Sequence, residues 1–360
     1  MQDQSRRLFI VILFALLALL LFASVRVTGL SSRGMPQEEK RMRYPYQQLD
    51  LRDQKLYTAL YNGIADLKET VKLPGMYSEE DYKRVYLLVA EQEPEFFYLD
   101  TVFETAELMN EASMFYTLDA EEIETMRGEM ERAADEILEN ARFETSDMDK
   151  LLAIHDGIAG NCSYENSRFA SEAYGCLVEG KAKCEGYAKA FLYVARRAGL
   201  QVMNVTGTDS RGENHVWNIA EADGNYYQID VTWDDDQRYE GRTVHACFGV
   251  ADADFQDHHA DLNAYTPPVC GGEKDLSYNY YRAHSQYVRN ASDLADMIAA
   301  WPGDTGLMEF QFANAAELEA AKRLISETSE IRDAVSIASG AVVYQALADE
   351  VRNVLVILPS

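Results

Sequence analysis

The stretch NHVWNIAEADGNYYQIDVTW, residues 214–233, constrains the fold of this chain more than any other segment. Apolar and polar residues alternate on both sides of Asp223-Gly224, a pair suited to the two-residue turn that joins antiparallel strands. Such a turn sets His215 opposite Thr232, with Asp230 one diagonal step away. Side chains two apart on a strand share a face, so His215 and Asp230 point the same way, within reach of each other. A carboxylate beside an imidazole fixes its tautomer and supports its charged form. A three-residue turn would slip the register and separate the two, so the geometry depends on that turn.

Upstream, GKAKCEGYAKAFLYVARRAG places Cys184 at the start of a helical pattern that Gly199 stops. A thiol is nucleophilic as thiolate, a form favoured at helix N-termini and beside cations. Lys181 and Lys183 are such cations in an otherwise acidic chain. Gly186 leaves room for a backbone or a substrate to approach closely. On its own this cysteine fits a structural residue as well as a nucleophile; the hairpin supplies it with a base and an orienting acid.

Helical spacing predicts helices over Leu49–Ile64, after Ser78, over Ala120–Asn140 and from Asp147 through LLAIHDGIAGN, with EPEFFYLDTVFET extended between the second and third. Beyond the hairpin, the tyrosine-rich SYNYYRAHSQYV reads as a packed junction. Residues 288–360 then alternate helix (ASDLADMIAAW), strand (GLMEFQF), helix (AAELEAAKRLISE) and two strands (AVVYQAL, VRNVLVILP). The expected division is 1–28, 29–146, 147–284 and 285–360.

At 360 residues, 47% of them hydrophobic, the chain can bury its cores without metals or dense disulfides. A formal charge of -27 excludes nucleic acid as a partner. The five cysteines, Cys162, Cys176, Cys184, Cys247 and Cys270, leave at least one thiol free, and the other four allow three pairings. No CxxC pair supports a thiolate zinc site, and Asp257, His258 and His259 read as a polar loop; no metal or cofactor is expected. Residues 8–25, LFIVILFALLALLLFASV, carry no charge and follow Arg6 and Arg7. As a helix they span roughly 27 Å, against roughly 30 Å of hydrocarbon. They read as a membrane anchor with a cytoplasmic N-terminus and an extracytoplasmic remainder, or, if cleaved, as a signal peptide.

Cysteine, histidine and aspartate in this order, on a helix and a hairpin, suit a thiol acyl-transfer enzyme. The segments AYGCLVEGKAKCEGYAKAF, NHVWNI and YYQIDVTWDD resemble the transglutaminase-like proteins of the papain-like cysteine-enzyme group, above all their bacterial extracytoplasmic members. The likeness covers residues 147–260 best. NHVW stands where GHAW is common, and Cys162 and Cys176 replace other small or apolar residues. The resemblance implies an α+β core with the cysteine helix on an antiparallel sheet, a helix-rich region before it and a small α/β domain after it. It implies Cys184 as nucleophile, His215 as general base and acid, Asp230 as orienting residue, and protein or peptide amides as substrates. Trp217 and Trp233, flanking the hairpin pair, are candidates for the acyl-site walls. A scaffold module that keeps the fold without the chemistry is the alternative.

Overall fold

A computed structural model of the chain describes residues 35–360 apart from 101, 103, 105, 262–264, 272–277 and 302–305. The apolar run at 8–25 lies outside the described residues. Among the described ones, no helix is long and apolar enough to cross a membrane.

Helix α1 (Leu51–Ala65) starts where Asp50 accepts the N–H groups of Arg52 and Asp53. It is followed by β1 (Thr70–Ser78) and α2 (Glu79–Gln92), the latter capped by Ser78 as its sequence position foretells. Two features of this region differ from expectation. Strand β1 pairs antiparallel with β2 (Leu108–Ser113), so a small sheet interrupts the helices, its register broken between Lys72 and Tyr77, around Pro74-Gly75. The run EPEFFYLD is not extended: Pro94–Phe96 make a turn of 3-10 helix, and Phe96, Phe97 and Tyr98 are buried. Aromatic density there reflects core packing, not strand structure.

Helix α3 (Ala120–Ala141) begins with a full capping box between Asp119 and Glu122, and α4 (Asp147–Ala159) begins at the Ser146 cap. Both pack beside α5 (Cys184–Arg197), which buries Tyr187, Phe191, Leu192 and Val194 completely. Each large side chain buried this way stabilises the fold by about 1.5–3 kcal/mol.

Five antiparallel strands carry α5 on one face, in the order β6 (Phe248–Val250), β5 (Asn225–Ile229), β4 (Asn214–Ala222), β3 (Val202–Asp209), β7 (His258–Ala260). Polar groups fix the helix against this sheet. Asn218 donates to the carbonyl of Ala188 at 3.1 Å and to Asn204 at 2.8 Å, and Gln92 at the end of α2 donates to the carbonyl of Asn204 at 2.8 Å. The hairpin register is the expected one: Ala222 pairs with Asn225 and Asn218 with Ile229. Asp223 and Gly224 both take positive φ, 52° and 81°, as the two-residue turn demands.

A second sheet, in the order β8 (Tyr287–Val288), β9 (Met308–Phe312), β11 (Val354–Pro359), β10 (Tyr344–Asp349), closes the chain. Helices α6 (Leu294–Ala299), α7 (Ala315–Glu327) and α8 (Glu330–Ser339) cover one of its faces; α8 had no counterpart in the sequence reading. Alternate residues of β11 divide between two cores. Leu355 and Ile357 pack with these helices, whereas Val354, Val356 and Leu358 pack into the main core. The architecture is α+β.

Candidate active site

Cys184 is the first residue of α5, and Lys183 before it supplies no side-chain cap. The first-turn N–H groups of a helix have no partners within it, so the backbone here is a ready donor set for a developing oxyanion. Gly186 is required by a backbone, not a substrate: a Cβ there would lie 2.3 Å from the carbonyl oxygen of Ala170. The same carbonyl accepts from the N–H of Lys183 at 2.8 Å, which holds the helix entrance against the preceding loop.

All five cysteines are free thiols, and Cys184 is the one that is not buried. Cys162 and Cys176 lie within hydrogen-bonding reach of each other. The two lysines near Cys184 engage other groups. Lys181 pairs with Glu165 at 2.7 Å, and Lys183 sits 4.3 Å from the ring centre of Tyr164.

His215 stands on β4, opposite Gly207 of β3, and its ring interacts with the Cys184 side chain. Its Nε2 is 2.6 Å from Oδ2 of Asp230, which leaves Nδ1 as the nitrogen for the thiol. Asp230 reaches this place by a route the strand pattern did not foresee. The ladder ends at Ile229, so Thr232 does not pair with His215; Asp230 caps a short helix, Val231–Asp234, accepting the N–H groups of Thr232 at 3.0 Å and Trp233 at 3.3 Å. The cap fixes Oδ1 and turns Oδ2 toward the imidazole.

Burial opposes a charged imidazole, but the Asp230 carboxylate and the Cys184 side chain outweigh it and push His215 up to about 10. Burial likewise opposes ionisation of Asp230, yet His215 and His258 hold it well below the usual carboxylate range. A histidine whose pKa is higher folded than unfolded adds stability in full below about pH 6.5, and that stability is lost as pH rises toward 10. Thermal melts from pH 6 to 10 are therefore expected to show the wild type losing a few kcal/mol more than His215→Gln; parallel curves would contradict the pairing.

His258 is the residue that sequence reading missed. Its sequence neighbourhood reads as a polar loop, but it lies buried on β7, with Nε2 3.1 Å from the same Oδ2 of Asp230 and Nδ1 2.9 Å from Asp257. Asp257 in turn binds Arg352 through two hydrogen bonds of 3.0 and 2.7 Å. Arg352, in the turn between β10 and β11, is buried and also meets Asp349 at 2.9 Å. The second sheet thus reaches beneath the site through a chain of hydrogen-bonded side chains. The adjacent Asp257-His258 pair was the one signal in the sequence.

The two tryptophans part company. Trp233 lines a cleft of about 310 Å³ together with His215, Tyr164, Asp235 and Asp236. Its ring centre is 5.6 Å from that of His215. Trp217 is buried, stacks on His215 at 6.1 Å and donates to Gln228 at 2.8 Å. It faces a separate hollow with Phe255 and His258. Of the acidic run after Trp233, Asp234 is wholly buried, whereas Asp235 and Asp236 stand in the cleft. His215, Asp230 and His258 are donor types that a metal accepts, and their ligand atoms lie within 4.8 Å of one another. All three are buried, and both imidazoles already share Oδ2 of Asp230.

Residues 132–231 match the core model of the transglutaminase-like superfamily. Over 138 residues the chain is 28% identical to the kyphoscoliosis peptidase of Mus musculus, and over 126 residues 28% identical to the Homo sapiens protein of that name. These matches cover 33% and 30% of this chain and 20% and 19% of those proteins, so the likeness spans about a fifth of their length. Similar solved structures include a TGase, 17% identical over 43% of this chain and 48% of that one, with a TM-score of 0.27. Another was solved as "a Putative Cysteine Protease from Cytophaga hutchinsonii", 20% identical over 32% and 43% of the two chains, also with a TM-score of 0.27. The matched residues, 132–231, lie within the α+β core of this chain and include Cys184, His215 and Asp230.

Proposed function

We propose that the chain is a thiol acyl-transfer enzyme acting on protein or peptide amides, with Cys184 as nucleophile, His215 as general base and acid, and Asp230 as the orienting residue. One observation carries this reading: an unburied free thiol at an open helix N-terminus faces an imidazole whose far nitrogen is held at 2.6 Å by a buried carboxylate. That is the arrangement in which a thiolate–imidazolium pair forms before substrate arrives.

The thiolate of Cys184 attacks the amide carbon, forming a C–S bond, and the oxyanion draws on the N–H of Cys184. As the C–N bond breaks, His215 passes its proton to the leaving amine or ammonia and a thioester remains. An amine or water then attacks the thioester carbon and yields its proton to His215, and the C–S bond breaks to release the acylated product and the Cys184 thiolate. Asp230 stays ionised throughout and keeps the imidazole in one orientation. The acidic cleft supports an amine as acceptor: Asp209, Glu213, Asp235 and Asp236 line it, and Arg211 is already paired with the first two, at 2.7 and 2.9 Å. The apolar run at 8–25 supports placement of this site outside a bacterial cytoplasmic membrane, tethered by that run or secreted after its removal.

Incubating the protein with an amine probe and a glutamine-containing protein library, followed by mass spectrometry, tests the reading. Probe attached to glutamine denotes cross-linking, new termini denote proteolysis, and conversion of amide to acid denotes deamidation. The acidic cleft predicts that probe attachment dominates. If none of the three appears, the scaffold reading takes its place.

A further inference from the structure

Apart from His215 and His258 at Asp230, a second pair of histidines converges on a single carboxylate. His155 and Asp156 are neighbours on α4, and His245 lies in the segment before β6. Nδ1 of His155 is 2.9 Å from Oδ1 of Asp156, and Nε2 of His245 is 3.0 Å from the same oxygen. The ligand-capable atoms of all three lie within 4.8 Å of one another.

The far side of each ring is also determined. Nε2 of His155 lies 3.2 Å from Asp234, and Nδ1 of His245 lies 2.6 Å from Glu309 of β9. Those outer carboxylates are held in place: Asp234 accepts the N–H of Cys247 at 2.9 Å, and Glu309 accepts the hydroxyl of Tyr281 at 3.1 Å. Two imidazoles, each backed by a carboxylate and each aiming its free nitrogen at a third one, form the outer and inner parts of a histidine metal site.

We propose that His155 Nδ1, His245 Nε2 and the carboxylate of Asp156 bind one divalent transition metal of the zinc class, leaving a fourth position for water. Both ring nitrogens converge on one oxygen of Asp156, the arrangement that a single cation between the three groups occupies. Tetrahedral zinc with nitrogen ligands near 2.0 Å sets its donors about 3.3 Å apart, so the two nitrogen–oxygen separations of 2.9 and 3.0 Å open by only a few tenths of an ångström. Asp156 is half-exposed while both histidines are almost enclosed, which makes Asp156 both the movable ligand and the route of entry. Imidazole donors favour zinc-like ions over calcium or magnesium. Because Glu309 belongs to the second sheet, the bound ion clamps that sheet to α4 and the main core.

The test uses full-length protein with Cys184 alkylated, stripped by chelator and titrated with Zn²⁺ by calorimetry and elemental analysis. One zinc per chain is expected, with a raised melting temperature. Asp156→Asn is expected to weaken binding by about tenfold or more and His245→Gln by about a hundredfold, whereas His258→Gln leaves it unchanged. Asp156 is exposed enough for its variant to fold, and circular dichroism verifies this. No stoichiometric uptake by folded wild type, or uptake that survives both Asp156→Asn and His245→Gln, overturns the assignment.

Discussion

Replacing Cys184 with alanine is expected to lower amide-directed acyl transfer by at least about 10³-fold while leaving the melting temperature within about 3 °C of wild type. The two halves of this prediction have separate causes. Alanine is a good first-turn helix residue, and the replaced side chain is not part of the buried core, so the fold loses little. The chemistry loses its nucleophile, and no described neighbour can stand in: Cys162, Cys176, Cys247 and Cys270 are all buried. Rates with an amine probe and a glutamine peptide, measured beside a thermal melt, check both. Activity within about tenfold of wild type would place the nucleophile elsewhere.

Asp230→Asn is expected to cost about 10²–10⁴-fold in rate and about 1–3 kcal/mol in stability. The asparagine oxygen can still accept from the N–H groups of Thr232 and Trp233, so the short helix keeps its cap. Its amide nitrogen then faces Nε2 of His215, where the carboxylate had accepted at 2.6 Å. An N–H donor there forces Nε2 to accept, which moves the ring proton to Nδ1, the side facing Cys184. The imidazole can no longer take the thiol proton. His258 loses the same oxygen, and this adds to the stability cost. Steady-state kinetics and denaturant unfolding of the same preparation separate the two effects, and unchanged kcat/KM would remove Asp230 from the proposed mechanism.

Local rules made much of the site legible in advance. Asp223-Gly224 requires a left-handed turn, the turn determines the register, and the register puts His215 and the region of Asp230 on one face. The cysteine helix likewise follows from apolar spacing, with its stop at Gly199. What escaped was non-local or hidden behind a locally plausible alternative. Arg352 meets Asp257 across 95 positions of sequence, and no periodicity joins them. His258 sits in a three-residue strand too short to show alternation. Asp230 leaves the ladder early because a carboxylate caps a helix better than it pairs in a strand. Asp234 belongs to a polar-looking run yet is enclosed, because His155 and the N–H of Cys247 satisfy it.

The proposed function stands on the pairing of Cys184 with His215, and alkylation tests that pairing without knowledge of the substrate. Iodoacetamide is expected to modify Cys184 at near-neutral pH faster than it modifies a free cysteine thiol, and His215→Gln is expected to slow that reaction by about tenfold or more. A wild-type Cys184 that reacts no faster than free cysteine, or a rate unaffected by His215→Gln, would contradict it.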